Sequence, residues 1–417
     1  MNVSLEIAFN MKTSIYSTYQ GIVIVEYVKN FQWAVKLHRY SLEFIGLWPK
    51  SKQTSWEKRM CNLRILFILS IIIFLILPCV HSLIRIHSDI ILLMDNLQYT
   101  LGMIISVLKI IIFWWKKTVV SPIIDMIAND WTKTNTFNER IIMIERARTA
   151  RIIVTIAYVV MGVGTLSTNG LPIFGYSTRY ITNITDPGRL LPFQTYYIYD
   201  VTKSPQYEIT FSYQVIAMIL CIIPYTGIDN FFSLLIFHIS GQLDILNNRL
   251  KHLSDIANYN DILRSVVKDH MRLLRAIAII EDTYNILFLA LFMLFGVLFI
   301  CYGFLLTNMF EDGFHLSLSQ LAYLITVVVN IFGHMCMYCA LGEFLTAQCD
   351  QIHFAVYSNK WYNMDPKNAR SLILLLIRTN KPLHLSAGKV FPLTMATFCD
   401  LLKTLAGYIS VLLTIKN

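Results

Sequence analysis

Seven long apolar blocks, separated by polar and mostly basic segments, set the pattern of this chain. A helix needs about 20 largely apolar residues to cross a bilayer. The blocks that meet this are Ile65–Ile84, Ile90–Trp115, Ile152–Thr168 within an uncharged run reaching Thr178, Ile209–Ile228, Tyr284–Thr307, Leu316–Gly342 and a C-terminal block from Gly388 to Ile415. Each is predicted to be a spanning helix. The last block also carries Asp400 and Lys403 one helical turn apart, and Thr404, Ser410 and Thr414. Ionisable groups in hydrocarbon are costly unless they face protein or water, so this helix faces either a bundle or a pore.

Between the blocks the pattern changes period without becoming loose linker. Leu243, Leu246, Leu250 and Leu253 recur at helical spacing beyond the fourth block, and Leu263, Val267, Leu274 and Ile277 do so before the fifth. Asp365-Pro366 has the chemistry of an N-cap and first helical position, and it precedes Leu372–Ile377, an apolar run too short to span. These features predict helices that continue below the membrane as a platform. The layout expected is a segment 1–64, six spanning helices with their extensions over 65–342, an anchor segment 343–387 with a short helix, and a last spanning helix in 388–417.

Composition sharpens the class. Of 417 residues, 55% are hydrophobic and only 15% charged, with mean hydropathy +0.54, which is far too apolar for a soluble domain. The net charge of +9 is distributed by loop. Nine Lys and Arg lie up to Arg64, seven in 116–151, and six each in 229–282 and 343–389; the alternate loops hold one, three and none. That is a positive-inside pattern and not a nucleic-acid surface. The fold class expected is therefore an all-α, seven-transmembrane-helix protein with a cytoplasmic N-terminus and an extracellular C-terminus, inverted relative to G-protein-coupled receptors. Asn183-Ile184-Thr185 is a glycosylation acceptor on the long outer loop, in agreement with that orientation. No cleaved signal peptide is expected, because the first residues lack an apolar run followed by a small-residue cleavage site.

Signatures of enzyme chemistry are missing from the sequence: there is no HExxH, GxxxxGK[ST] or GxSxG. Cys336 and Cys339 form a lone pair without the further ligands zinc needs, and no cofactor or metal is expected. His81 and His334 each sit alone on apolar helices, where a hydrogen-bonded structural role is the expectation. Lys109 interrupts the second block two turns before Trp115-Lys116, and its stem is expected to snorkel to the inner surface. Gly162, Gly164, Thr165 and Ser167 make the outer half of the third helix small and slightly polar, suited either to close packing or to one wall of a pocket.

Several motifs then fall in a family order. Gly46-Leu47-Trp48-Pro49 precedes the first span, Tyr338-Cys339-x-x-Gly342-Glu343 ends the sixth, and Ala355-x-Tyr357-x-x-x-Trp361-Tyr362 follows. Arg378, Pro382, Ala387-Gly388, Phe391, Phe398, Lys403 and Tyr408 continue the series. In this order the chain resembles the insect odorant receptors, with a departure at Leu405-Ala406-Gly407, where the family usually has a polar-aromatic run. The resemblance implies the tuning subunit of an odorant-gated, non-selective cation channel, assembled with the odorant receptor co-receptor in a heterotetramer. It also implies the plasma membrane of olfactory neuron dendrites and a pore lined by the last helix, with Val411, Thr414 and Ile415 at the gate; apolar side chains at such a constriction can close it by dewetting.

The same resemblance implies that a small volatile odorant binds in the outer half of helices two to six. Mapped by depth, the ligand contacts expected are Leu97, Gln98, Leu101, Gly162, Thr165, Leu166, Gln214, Met218, Tyr323 and Thr326. Gln98, Tyr323 and Thr326 are the polar groups among them that can orient a mostly apolar ligand. A G-protein-coupled chemoreceptor requires the opposite charge bias and normally an outer-loop disulfide. A gustatory receptor channel shares the architecture but is less well matched at Trp361-Tyr362, and a transporter would show repeat symmetry.

Overall fold

The computed structural model describes residues 29–132, 136–179, 181, 189–251, 259–311, 317–359, 361–380 and 383–416. Asn183 and Leu253 lie outside the described residues. A helix α1 over 29–45 ends at Gly46 and leads to α2 (Ser55–Arg85), α3 (Ile90–Thr132), α4 (Phe137–Gly170), α5 (Gln206–Lys251), α6 (Tyr259–Glu311) and α7 (Leu318–Ser358). Six of these, α2 to α7, are long and apolar enough to cross a membrane. A short α8 (Pro366–Thr379), a two-stranded hairpin and α9 (Met395–Lys416) complete the chain.

The helix starts follow local chemistry. Thr54 with Glu57, Thr136 with Glu139 and Ser317 with Gln320 form reciprocal caps at the N-termini of α2, α4 and α7, satisfying backbone donors the helix leaves open. Asp365 caps α8 and accepts from the Lys367 amide, with Pro366 at the first helical position. The predicted spans are parts of longer helices, because the apolar periodicity runs on into the inner segments.

α5 is the central element. In its most apolar stretch 61% of residues are buried inside the chain, against 11% for α4 at the periphery. α5 packs along α4 and α7, α3 along α2, α5 and α6, and α9 along α6 and α7. An aromatic knot ties the middle together: Phe232 meets Phe288 edge to face at 4.9 Å, and Phe288 meets Tyr338 at 5.0 Å. Phe231 receives Phe113 at 5.6 Å and, from the Gly46–Pro49 turn, Trp48 at 5.7 Å. Gly46 has φ +89°, and an added Cβ would sit 2.9 Å from the Cys61 carbonyl oxygen, so the turn that delivers Trp48 needs a glycine.

At the end of the helices away from the α4–α5 loop, ion pairs join their extensions. Asp130 of α3 receives His238 of α5 and Arg272 of α6. Arg146 pairs with Asp244 at 2.6 Å, and Arg249 with Glu139 at 2.8 Å. Leu243, Leu246 and Leu250 are buried as their spacing requires. On α6 the buried stripe is Leu263, Val266, Leu273 and Ile277, so Val267 and Leu274 are one position off the face the sequence pattern suggested.

The last block does not begin as helix. Ser386–Ala387 pairs antiparallel with Phe391–Pro392, and Gly388 and Lys389 have φ near +61° and +60° in the turn between them. Proline at 392 and the left-handed turn keep 388–394 out of the helix. This hairpin is tied to the bundle: the Gly388 amide donates to the Asn285 carbonyl at 2.8 Å, and Ser386 Oγ donates to Glu281 Oε1 at 3.0 Å. The Met395 amide, first in α9, donates to Glu343 Oε2 of α7 at 2.7 Å.

Candidate functional site

At the end of the bundle that carries the α4–α5 loop, α3, α4, α5, α6 and α7 surround a cavity of about 150 Å³. Its walls are mostly aromatic and aliphatic: Tyr99, Phe193, Tyr225, Phe295, Tyr302 and Tyr323 supply rings, and Met103, Met161, Met218 and Ile331 fill between them. Tyr99 stacks on Tyr323 at 5.4 Å and meets Phe193 edge to face at 5.5 Å, which joins α3, α7 and the loop between α4 and α5. A wall of this kind binds through burial of apolar surface, worth roughly 25 cal/mol per Å².

Phe193 reaches the cavity because the loop between α4 and α5 folds in between the helices. Gln214 of α5 accepts the Phe193 amide at 3.2 Å and donates to Thr195 Oγ1 at 3.0 Å and the Tyr197 hydroxyl at 3.1 Å. Asn96 of α3 donates to the Gln194 carbonyl at 2.8 Å, and Arg179 donates through Nη2 to the Leu191 carbonyl at 3.0 Å. With its backbone polar groups satisfied in this way, the loop can be buried as a lid.

Of the positions expected from the sequence to contact ligand, Gln98, Thr165, Met218, Tyr323 and Thr326 line the cavity. Leu97 and Leu101 lie half-buried on α3 outside the lining, and Leu166 is 73% exposed on the outside of α4. Gly164 lines the cavity where Gly162 was expected, and Gln214 holds the loop instead. The differences come from rotation about helix axes: depth fixes how far along a span a residue lies but not which way it points. Tyr99, Gly102, Ser106, Tyr225, Tyr302 and Asn330 were missed for the same reason. Phe193 could not be reached by counting along helices at all.

Beneath the cavity floor sits a buried charge cluster. Lys109 is completely buried, and its Nζ lies 2.5 Å from Asp229 Oδ2 and 3.2 Å from the Tyr225 carbonyl, and 3.6 Å from the Tyr225 ring centre. His334 Nε2 approaches the same Asp229 oxygen at 3.5 Å, while its Nδ1 bonds the Asn330 carbonyl at 2.8 Å. Lys109 therefore does not snorkel. A carboxylate on the neighbouring helix, more than a hundred residues away in sequence, makes burial possible. Tyr225, which touches both the lysine and the cavity, links the two.

On α9, Leu405 packs on Gly296 and Ile409 against Gly303 of α6. The opposite face, with Lys403, Thr404, Tyr408, Val411 and Thr414, is exposed in the single chain, Val411 to 56%. Thr414 donates to the Ser410 carbonyl at 3.0 Å. The side chain of Ile415 lies outside the described set. Among the described residues no cluster of His, Cys, Asp or Glu is arranged to hold a metal.

Comparison with known proteins places these features in a family context. The family model described as 7tm odorant receptor matches residues 89–406. Odorant receptor 33a of Drosophila melanogaster is 25% identical over 230 residues, which is 53% of this chain and 59% of that protein. Odorant receptor 10 of Aedes albopictus is 27% identical over 224 residues, 52% of this chain and 58% of the relative. The aligned part thus spans less than two thirds of these relatives' length. The solved structure of the insect olfactory receptor OR5 from Machilis hrabei in complex with eugenol superposes with a TM-score of 0.78 at 17% identity, covering 94% of this chain and 100% of that one.

Proposed function

The chain belongs to the insect odorant receptors, membrane receptors and not enzymes, and from that premise we propose that it is the tuning subunit of an odorant-gated, non-selective cation channel. In this reading a small volatile molecule occupies the cavity between α3 and α7. The pore runs along the exposed face of α9, past Val411, Thr414 and Ile415, in a heterotetramer with the odorant receptor co-receptor. The setting is the plasma membrane of olfactory neuron dendrites, with the N-terminus inside and the C-terminus outside.

The observation that carries the reading is the pairing of two features on one scaffold. A small, aromatic-lined cavity lies within the outer bundle, and α9 presents a partly polar face that no other part of the described chain covers. α6 connects them, since Phe295 and Leu298 line the cavity while Gly296 and Gly303 seat α9. A ligand that alters the packing of α6 has a direct route to the α9 helix, provided it binds the open arrangement more tightly than the closed one.

The test is voltage clamp of cells expressing the chain with and without the co-receptor, with G-protein signalling blocked, during a panel of apolar volatiles. A fast cation current that requires both chains is expected, and Val411→Ala should raise the current that flows without ligand. A current abolished by the block would instead favour the G-protein-coupled reading. The orientation has its own readout: a glycosidase-sensitive gel shift that disappears in Asn183→Gln.

A further inference from the structure

We infer that the ligand of this cavity carries a hydroxyl group on a compact apolar ring or branched frame, and that Gln98 accepts its hydrogen bond. The inference rests on the reading of the cavity as the odorant site and adds the chemical class of what binds there.

Gln98 lines the cavity, is 8% exposed, and donates through Nε2 to Asp95 Oδ1 at 2.7 Å, one turn back on α3. A carboxylate can only accept, so this bond settles which end of the amide is which. The NH₂ faces Asp95, which leaves Oε1 as the free acceptor on a side chain that lines the cavity. That oxygen is buried and has no hydrogen-bond partner among the described residues. A buried acceptor without a donor is a standing cost that a donor on the ligand removes.

The rest of the polar lining repeats the arrangement. Ser106 donates to the Cys221 carbonyl at 2.9 Å, Thr165 to Met161 at 2.7 Å, Thr168 to Gly164 at 2.9 Å and Thr326 to Ala322 at 2.8 Å. Asn330 Nδ2 donates to Met161 Sδ at 2.9 Å. Each of these hydroxyl protons is spent on the protein, so the hydroxyl oxygens keep only lone pairs, and one of the two Asn330 N–H donors is taken by sulfur. Tyr225, Tyr302 and Tyr323, which line the cavity, carry phenol O–H groups of the kind that can donate to a ligand. A ligand hydroxyl can donate to Gln98 and accept from a tyrosine at once, whereas a carbonyl or ether of the same size can only accept and leaves Gln98 Oε1 unpaired. Size narrows the class further: a cavity near 150 Å³ holds a molecule of about benzene's bulk, and its ring-lined walls favour flat or compact frames.

The experiment compares matched pairs on the purified full-length chain in lipid nanodiscs, reading the shift in thermal unfolding midpoint as ligand is titrated. Cyclohexanol is set against cyclohexanone, and benzyl alcohol against benzaldehyde. Each alcohol should bind about tenfold more tightly than its carbonyl partner, the ratio one well-formed hydrogen bond supports. In Gln98→Met, close in size and unbranched, the ratio should fall to about one. Leu166→Ala, on the exposed outside of α4, should leave it unchanged. Carbonyls that bind as tightly as the alcohols in the unmodified chain would overturn the inference whatever becomes of the variants. So would stabilisation by neither partner at saturation.

Because binding is read without current, the two proposals separate. Alcohol preference in a chain that never conducts would retain this inference and sink the channel. A ligand-gated current that favours carbonyls would do the reverse.

Discussion

Lys109 illustrates how one residue constrains the interior. Its ammonium is held by Asp229, by a backbone carbonyl and by the face of Tyr225, and none of these contacts reaches water. Removing one member of a buried pair leaves the other charge uncompensated, at about 3–5 kcal/mol. Lys109→Met should therefore lower the thermal unfolding midpoint strongly and reduce surface expression. The double variant Lys109→Met/Asp229→Asn should recover much of the loss. Equal damage from single and double variants would mean that the pair does not act as a unit. In the sequence, Lys109 and Asp229 are separate anomalies; only the packing of α3 on α5 makes them one feature.

At the scale of elements, the junction of α7 with α9 explains why a glycine and a glutamate follow Tyr338-Cys339. A Cβ on Gly342 would stand 2.5 Å from Leu393 Cβ and 2.6 Å from the Leu393 carbonyl oxygen, so the strand leading into α9 lies directly on the helix. Glu343 then caps the first amide of α9. Backbone cannot give way as a side chain can, and overpacking of this kind costs about 1–3 kcal/mol. Gly342→Ala should destabilise the chain by that amount. Gly162→Ala, where nothing lies within 4 Å of the added methyl, should be neutral or stabilising by up to about 1 kcal/mol through helix propensity. If both variants behave alike in unfolding experiments, the close approach at Gly342 is not what matters. The motif was legible as a motif; its physical cause was not, because the partner surface arrives some fifty residues later.

For the whole molecule, two buried histidines, His38 on α1 and His270 on α6, give a pH dependence of defined sign. His270 on α6 is buried, with Arg378 of α8 nearby, and both effects push its pKa down to about 4 from 6.5. Burial with Arg151 beside it pushes His38 down to about 3. As pH falls below 6.5 the unfolded chain takes up protons that the folded chain refuses, so stability drops from pH 6.5 down to about 4 for His270 and about 3 for His38. For His270 the loss at pH 5 is about 2 kcal/mol. Unfolding midpoints measured at pH 7.5 and pH 5 should show this fall, and His270→Gln should make it smaller. An unchanged fall in that variant would assign the sensitivity elsewhere.

The sequence by itself determined the class. Apolar blocks of spanning length and stripes at helical spacing identify an all-helical membrane protein whose helices run on past the spans, because burial and backbone satisfaction in lipid leave few alternatives. Cap residues such as Asp365-Pro366 placed helix starts for the same local reason. Tertiary structure decided direction and partnership. Which face of α3 turns inward chose Gln98 and Tyr99 over Leu97 and Leu101; the fold of the outer loop brought in Phe193; and α3 meeting α5 joined Lys109 to Asp229. These depend on contacts between residues far apart along the chain, and hydrophobic spacing within one helix carries no information about where another helix will lie.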